Sequence, residues 1–311
     1  MLDVHQQFWN EWAEAYRGFS ESVEAYRQAQ RDLARLAVGA MGEDRKRGAI
    51  SLLDVGGGAG NMISPLLDTL ASQRGHLRGV IYTLTDAAKD MLTLARARLG
   101  QLGKAYPDVE FRMLRVDTLA DGFAAQIGGG PADVVVNSWN LEYYPTATRQ
   151  ELVDRLVRLA HPQGVVAFSS TVRLPPGMGF RDILMPIGRA QVFYGFLTGG
   201  RTKMDVAVNG LKQIAQFGTA ATASHFPEKP TLLELQELGK RAGLKSVVAT
   251  YQLFGASAMA VGRRDGAALP DPGHPEISKV LAGFPGYDGY PGTATFWSSF
   301  WGLWRGEQKR L

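Results

Sequence analysis

The feature that most constrains this chain is an apolar run passing without a linker into glycines at positions 51–60, "SLLDVGGGAG". The run is long enough for a buried strand, and four glycines in five residues let the backbone turn tightly. The segment that follows, "NMISPLLDTLASQR", has the three- and four-residue spacing of a helix, with Pro65 where a first turn tolerates it. Strand, tight turn and helix therefore follow one another directly. The alternation recurs in "GVIYTLTD" before "AAKDMLTLARARLGQL", then in "VEFRMLRVD", "ADVVVNSWN", "RQELVDRLVRLAHPQG" and "VVAFSSTV". It resumes with "PTLLELQELGKRAGL", "KSVVATYQLFG" and "SAMAVGRR". Continuous apolar strands separated by helices predict an α/β fold: a doubly wound, mostly parallel sheet of seven strands, buried on both faces.

Breaks in this rhythm divide the chain. Residues 5–40 carry aromatic and aliphatic side chains at helical spacing between charges, so 1–48 is expected to form an N-terminal helical cap. Residues 49–172 and 230–264 supply the core. The regularity fails at about Arg173, and 173–229, rich in Gly, Pro, Met and aromatics, is expected to be an insertion after the fifth strand that acts as a substrate lid. From Asp265 the composition shifts to Gly, Pro and aromatic residues, marking 265–311 as a C-terminal appendage.

Composition excludes several functions. With no cysteine among 311 residues, disulfides, thiolate nucleophiles and cysteine-bound metals are ruled out, and the five histidines lack ligand spacing, so no metal is expected. The net charge of +4 rests on short clusters at 43–48 and 306–311, which read as solvated surface rather than a specific nucleic-acid site. No run of about eighteen apolar residues appears, and the start lacks a basic-then-apolar leader, so a cytoplasmic location is expected. Trp297, Phe300, Trp301 and Trp304 form an apolar stripe suited to the domain itself, a second copy of the chain, or the surface of a membrane.

In an open parallel sheet the ligand lies beyond the carboxyl ends of the strands, where Gly56, Gly58 and Gly60 would sit. Their spacing is G-x-G-x-G, with Asn61 where a dinucleotide fingerprint has its third glycine. Asp54 ends the strand; its carboxylate would repel a pyrophosphate and attract a cationic ligand. The ligand is therefore read as cationic.

"LLDVGGGAGN" resembles the first motif of class I S-adenosylmethionine-dependent methyltransferases, and the resemblance extends through most of residues 51–264. It implies adenosylmethionine as cofactor, with Asp54 and the glycine backbone serving its methionine end. It places Asp86 of "TLTDAAKDML" on the ribose hydroxyls, with Met91 following in the family pattern, and Asp117 of "RVDTL" near the adenine. Asn137 and Trp139 would border the cofactor, and the leading helix, carrying Trp9, Trp12 and Tyr16 on one face, would cover it. Where many members have "L-H-H" or "L-E-H", this chain has Leu141, Glu142 and Tyr143, so Glu142 and Tyr143 are the candidate acceptor-binding or catalytic pair, with His225 a third candidate. The expected activity is methyl transfer to a small or medium-sized, largely apolar acceptor, to oxygen first and to carbon or nitrogen next. A non-catalytic adenosylmethionine-binding subunit or scaffold is the alternative, and association into a homo-oligomer fits either.

Overall fold

The computed structural model describes residues 9–10, 13–14, 16–21, 23–128, 130–173, 229–252 and 257–270. The expected strands are β1 (Ile50–Val55), β2 (Val80–Asp86), β3 (Val109–Arg115), β4 (Ala132–Asn137), β5 (Ala160–Thr171), β6 (Ser246–Gln252) and β7 (Ser257–Arg263). They form one sheet in the order β3-β2-β1-β4-β5-β7-β6. Pairs from β3 through β5 are parallel, and β7 runs antiparallel to both β5 and β6. The strand order reverses between β1 and β4, so the crevice opens at their carboxyl ends, immediately beside the glycines.

Helices cover both faces: α1 (Glu24–Gly39), α2 (Glu43–Arg47), α3 (Ile63–Arg74), α4 (Lys89–Ala105), α5 (Phe123–Ile127), α6 (Thr146–Leu159) and α7 (Leu232–Arg241). Alternation along the strands sends neighbouring residues to different cores. Leu52, Val134 and Val165 pack with Leu33 and Ala37 of α1 and Leu66 and Leu70 of α3. Leu53, Val135 and Val166 pack with Leu152 and Leu156 of α6 and Leu235 and Leu238 of α7. Burying each such leucine contributes about 1.5–3 kcal/mol, which explains why the strands read as unbroken apolar runs. Helix α1 is thus an integral layer of the core as well as a cover.

Pro65 occupies the third position of α3, where no intrahelical donor is lost. β5 starts at Ala160, ahead of the expected apolar run, and its ladder with β4 shifts register between Ala132 and Val134. Arg173 donates its backbone N–H to the Pro230 carbonyl at 2.8 Å, so the chain leaves and re-enters the core at one point. The intervening residues 174–228, with His225 among them, lie outside the described residues. At the far end, Arg263 of β7 donates to the Ala40 carbonyl just past α1 at 2.7 Å, and Ser246 of β6 donates to that of Ala267 at 2.9 Å. Residues 271–311 lie outside the described residues.

Candidate functional site

The turn between β1 and α3 is built by glycine stereochemistry. Gly56, Gly58 and Gly60 have φ of +64°, +53° and +75°, the left-handed region that side-chain-bearing residues adopt at a cost. Gly57 between them is required for a different reason: a Cβ there would lie 2.6 Å from Asp54 Oδ2 and 2.8 Å from Leu84 Cγ. The turn is held to β2 by Gly57 N–H donating to the Thr85 carbonyl, 2.9 Å, and Gly58 N–H donating to Asp86 Oδ2, 2.9 Å. Asp86 Oδ1 also accepts from Ala88 N–H at 2.7 Å, so one carboxylate ties the glycine turn to the entry of α4.

Asp54 is fully buried within β1. Its Oδ2 accepts from the Tyr82 hydroxyl at 2.8 Å, and its Oδ1 has no partner. Burial pushes its carboxyl up to about 7, with the Tyr82 hydrogen bond opposing and the nearby Asp86 adding to the rise. Asp86 is pushed up to about 6, again by burial and against the pull of its backbone donors. A desolvated carboxylate with an unused oxygen is an attractive place for a cation, and its charge is costly without one.

A cavity of about 870 Å³, counted to its open mouth, lies over these groups. Asp54, Gly56, Gly58, Asp86, Met91 and Asp117 line it, as do Tyr16 and Tyr143. Gly60, Asn137 and Glu142 do not. Asn137, expected beside the cofactor, is instead buried and donates Nδ2 to the Val55 carbonyl at 2.8 Å, bracing the end of β1 from β4. Glu142 is buried in a 3₁₀ turn (Leu141–Tyr143) and accepts from the Ser170 hydroxyl at 3.1 Å. Burial raises its carboxyl to about 7, opposed by N–H groups of the turn and of Thr171 and by the Lys229 charge. The turn itself is anchored by buried Arg149, which donates Nε to the Leu141 carbonyl at 3.1 Å.

The remaining wall is aromatic. Trp9 stacks edge-on against Tyr16 and Tyr143, with centroids 5.2 and 5.1 Å away, and Tyr26 meets Trp139 at 4.9 Å. The Tyr16 and Tyr26 hydroxyls bond each other, and Gln30 donates to Tyr26 at 2.9 Å. Burial pushes both phenols up, so they remain neutral. Trp139 has φ +57°, unusual for a bulky residue, and is held there by its N–H on the Ser169 carbonyl and hydroxyl, each at 3.1 Å. Tyr26, Gln30, Asn140 and Tyr144 also line the cavity and carry no sequence signal, because helical spacing alone cannot distinguish a cavity-facing ring from a core ring. Gly57 could have been recognised from the unbroken glycine triplet.

A sheet of this order, with a glycine turn after β1 and carboxylates ending β1 and β2, has the Rossmann-like fold of class I methyltransferases. Residues 53–166 match the family model of the methyltransferase domain, a match that implies adenosylmethionine as the cofactor. Among solved structures, magnesium protoporphyrin IX methyltransferase from Synechocystis PCC 6803 with bound SAH is 14% identical with a TM-score of 0.51, over 85% of this chain and 100% of that one. The same protein with bound SAM gives 15% and 0.50, over 84% and 96%. An O-methyltransferase family 2 protein from Planctomyces limnophilus DSM 3776, in complex with apigenin, is 17% identical with a TM-score of 0.49, over 82% of this chain and 61% of that one. No curated protein matches the chain by sequence. The residues present suit the cofactor: the unpaired Asp54 oxygen faces a cavity whose carboxylates favour a cation, and the glycine turn leaves room for close backbone approach. Among the described residues, no helix is long and apolar enough to cross a membrane.

Proposed function

We propose that this chain transfers the methyl group of adenosylmethionine to a small or medium-sized, largely apolar acceptor, with oxygen the first choice of methylated atom. The observation that carries this reading is one cavity with two chemically different linings, a desolvated carboxylate set on a glycine turn and a connected series of aromatic rings. The bound cofactor supplies an electrophilic methyl group on a cationic sulfur, so the protein's task is positioning and exclusion of water. Asp54 attracts the cationic end through its unpaired oxygen, Asp86 receives the ribose hydroxyls while holding Gly58, and Asp117 lies toward the adenine. Trp9, Tyr16 and Tyr143 cover the reacting region with apolar surface. Glu142, bonded by the Ser170 hydroxyl next to Tyr143, is the acceptor-side candidate able to hold a proton near neutral pH, and His225 is the further candidate for that role. Residues 173–229 and 265–311 are assigned to closing the acceptor side.

Calorimetric titration with adenosylmethionine, its demethylated product and NAD tests the cofactor, and transfer of labelled methyl to a panel of phenols, amines and activated carbons tests the chemistry. Binding of the first two without NAD, followed by labelled product, is expected. Cofactor binding with no transfer to any acceptor would favour the non-catalytic scaffold reading.

A further inference from the structure

Adenosylmethionine carries a carboxylate beside its ammonium group, and Asp54, Asp86 and Asp117, which all line the cavity, attract only the cationic part. The carboxylate needs donors and a positive charge at another corner of the same cavity. Arg115 and Arg155 do not supply it, because they end on the backbone carbonyls of Ala87 and Thr118, next in sequence to Asp86 and Asp117.

Asn61 marks that corner. It follows the glycine turn, is half-buried, and lines the cavity together with the half-buried Tyr16. Arg98 of α4 donates Nη1 to Asn61 Oδ1, and because a guanidinium has no acceptor, this bond fixes which way the amide points. Nδ2 is turned from Arg98 and is left without a hydrogen-bond partner of proper geometry. The Tyr16 and Tyr26 hydroxyls lie on that side: burial raises both phenols, and the Asn61 amide acts against the rise in each. Gln30 donates to Tyr26 and Tyr26 is bonded to Tyr16, so a proton chain running in that direction gives the Tyr16 hydroxyl a donor role toward the cavity. Arg98 also meets Glu21 at 3.5 Å, but that carboxylate is 56% exposed, so water screens the pair and the guanidinium charge is still felt at Asn61. Met62, which precedes α3, lines the same cavity, so the positive end of that helix dipole adds to the attraction.

We propose that Asn61 and Tyr16 bind the amino-acid carboxylate of adenosylmethionine, with Arg98 as the positioning residue that orients the Asn61 amide and supplies the compensating charge from behind it. This deepens the proposed function and rests on it. The two ends of the turn are close: the Asp54 carboxylate lies against Gly57, whose carbonyl accepts from Gly60 N–H at 2.9 Å, one residue before Asn61. The ammonium and carboxylate of the cofactor share one carbon and suit that closeness, the first toward Asp54 and the second toward Asn61.

The test compares adenosylmethionine with decarboxylated adenosylmethionine, which keeps the sulfonium and the amine, by calorimetric titration into the full chain and its variants. The parent is expected to bind adenosylmethionine at least about tenfold more tightly, the preference that a hydrogen bond to a charged group gives. Asn61→Asp sets one carboxylate against another and should reverse the preference. Arg98→Met keeps the side-chain stem without its charge and should lose most of the preference, which Arg98→Lys should largely restore. Each variant is read by the ratio of two affinities, so a general loss of stability does not imitate the expected result. Equal binding of the two ligands by the parent, or a parent-like ratio in both Asn61→Asp and Arg98→Met, overturns the subsite and leaves the cofactor reading intact. Binding of neither ligand by the parent overturns the proposed function and the subsite with it.

Discussion

The two linings of the cavity are built by opposite means. On the cofactor side, consecutive residues 54–58 and the end of β2 do nearly everything, through left-handed glycines, backbone N–H groups, one buried carboxylate and one half-buried carboxylate. On the aromatic side, Trp9, Tyr26, Trp139 and Tyr143 come from a leading helix, α1, the end of β4 and a 3₁₀ turn, and none is fixed by its sequence neighbours alone. The first is a local device whose failure is all or none. The second is a tertiary assembly, in which the loss of one ring leaves the others in place.

The sharpest way to break this contrast is Gly57→Val. A branched side chain would collide with Asp54 and Leu84, so a destabilisation of about 3 kcal/mol or more is expected in denaturant titration. Parent-like stability would mean the turn has freedom that its geometry denies.

Next in size is Asp54→Asn, which should weaken adenosylmethionine binding by about 1.5–3 kcal/mol, roughly 10- to 150-fold, as measured by calorimetry. The same substitution should raise the stability of the cofactor-free protein at pH 8, because a desolvated charge is removed. Weaker binding without that gain in stability would show that Asp54 is held by something other than its burial.

The pH dependence follows from the same carboxyls. Asp54 and Glu142 are raised to about 7 and Asp86 to about 6, so between pH 4 and pH 7 the folded protein holds more protons than the unfolded chain. Their contribution to cofactor-free stability is full at the acid end and is lost as pH rises through the folded values. Unfolding temperature attributable to these groups should therefore fall from pH 4 to pH 7, while affinity for the cationic cofactor rises over pH 6–7.5. A flat affinity profile across that window would sever the link between Asp54 ionisation and binding.

The smallest effects belong to the aromatic side. Trp9→Ala or Tyr143→Ala should cost about 1 kcal/mol in acceptor KM, near fivefold, and leave cofactor affinity almost unchanged. Equal losses in cofactor and acceptor binding would merge the two linings into one functional unit.

What could be read in advance follows the same division. The seven strands and their mostly parallel sheet were legible because burial on both faces forces continuous apolar runs, as in "ADVVVN". The glycine turn was legible because its chemistry is written in adjacent residues. Asn137 was not: its motif position suggested a ligand contact, and only the packing of β4 against β1 turns its amide onto the Val55 carbonyl. Glu142 reads as one half of an acceptor-binding pair with Tyr143, yet the register of β5 brings Ser170 beneath it and buries it outside the cavity lining.

The sequence by itself determined the alternation of strands and helices, the absence of any cysteine chemistry and the glycine turn, since each depends on properties of residues close together in the chain. Only the tertiary structure decided which rings share the cavity and that Asp54 keeps an unused oxygen. Those outcomes depend on contacts between segments far apart in sequence, where the free energy of a side chain is set by its neighbours in space, and local patterning says nothing about which neighbours arrive.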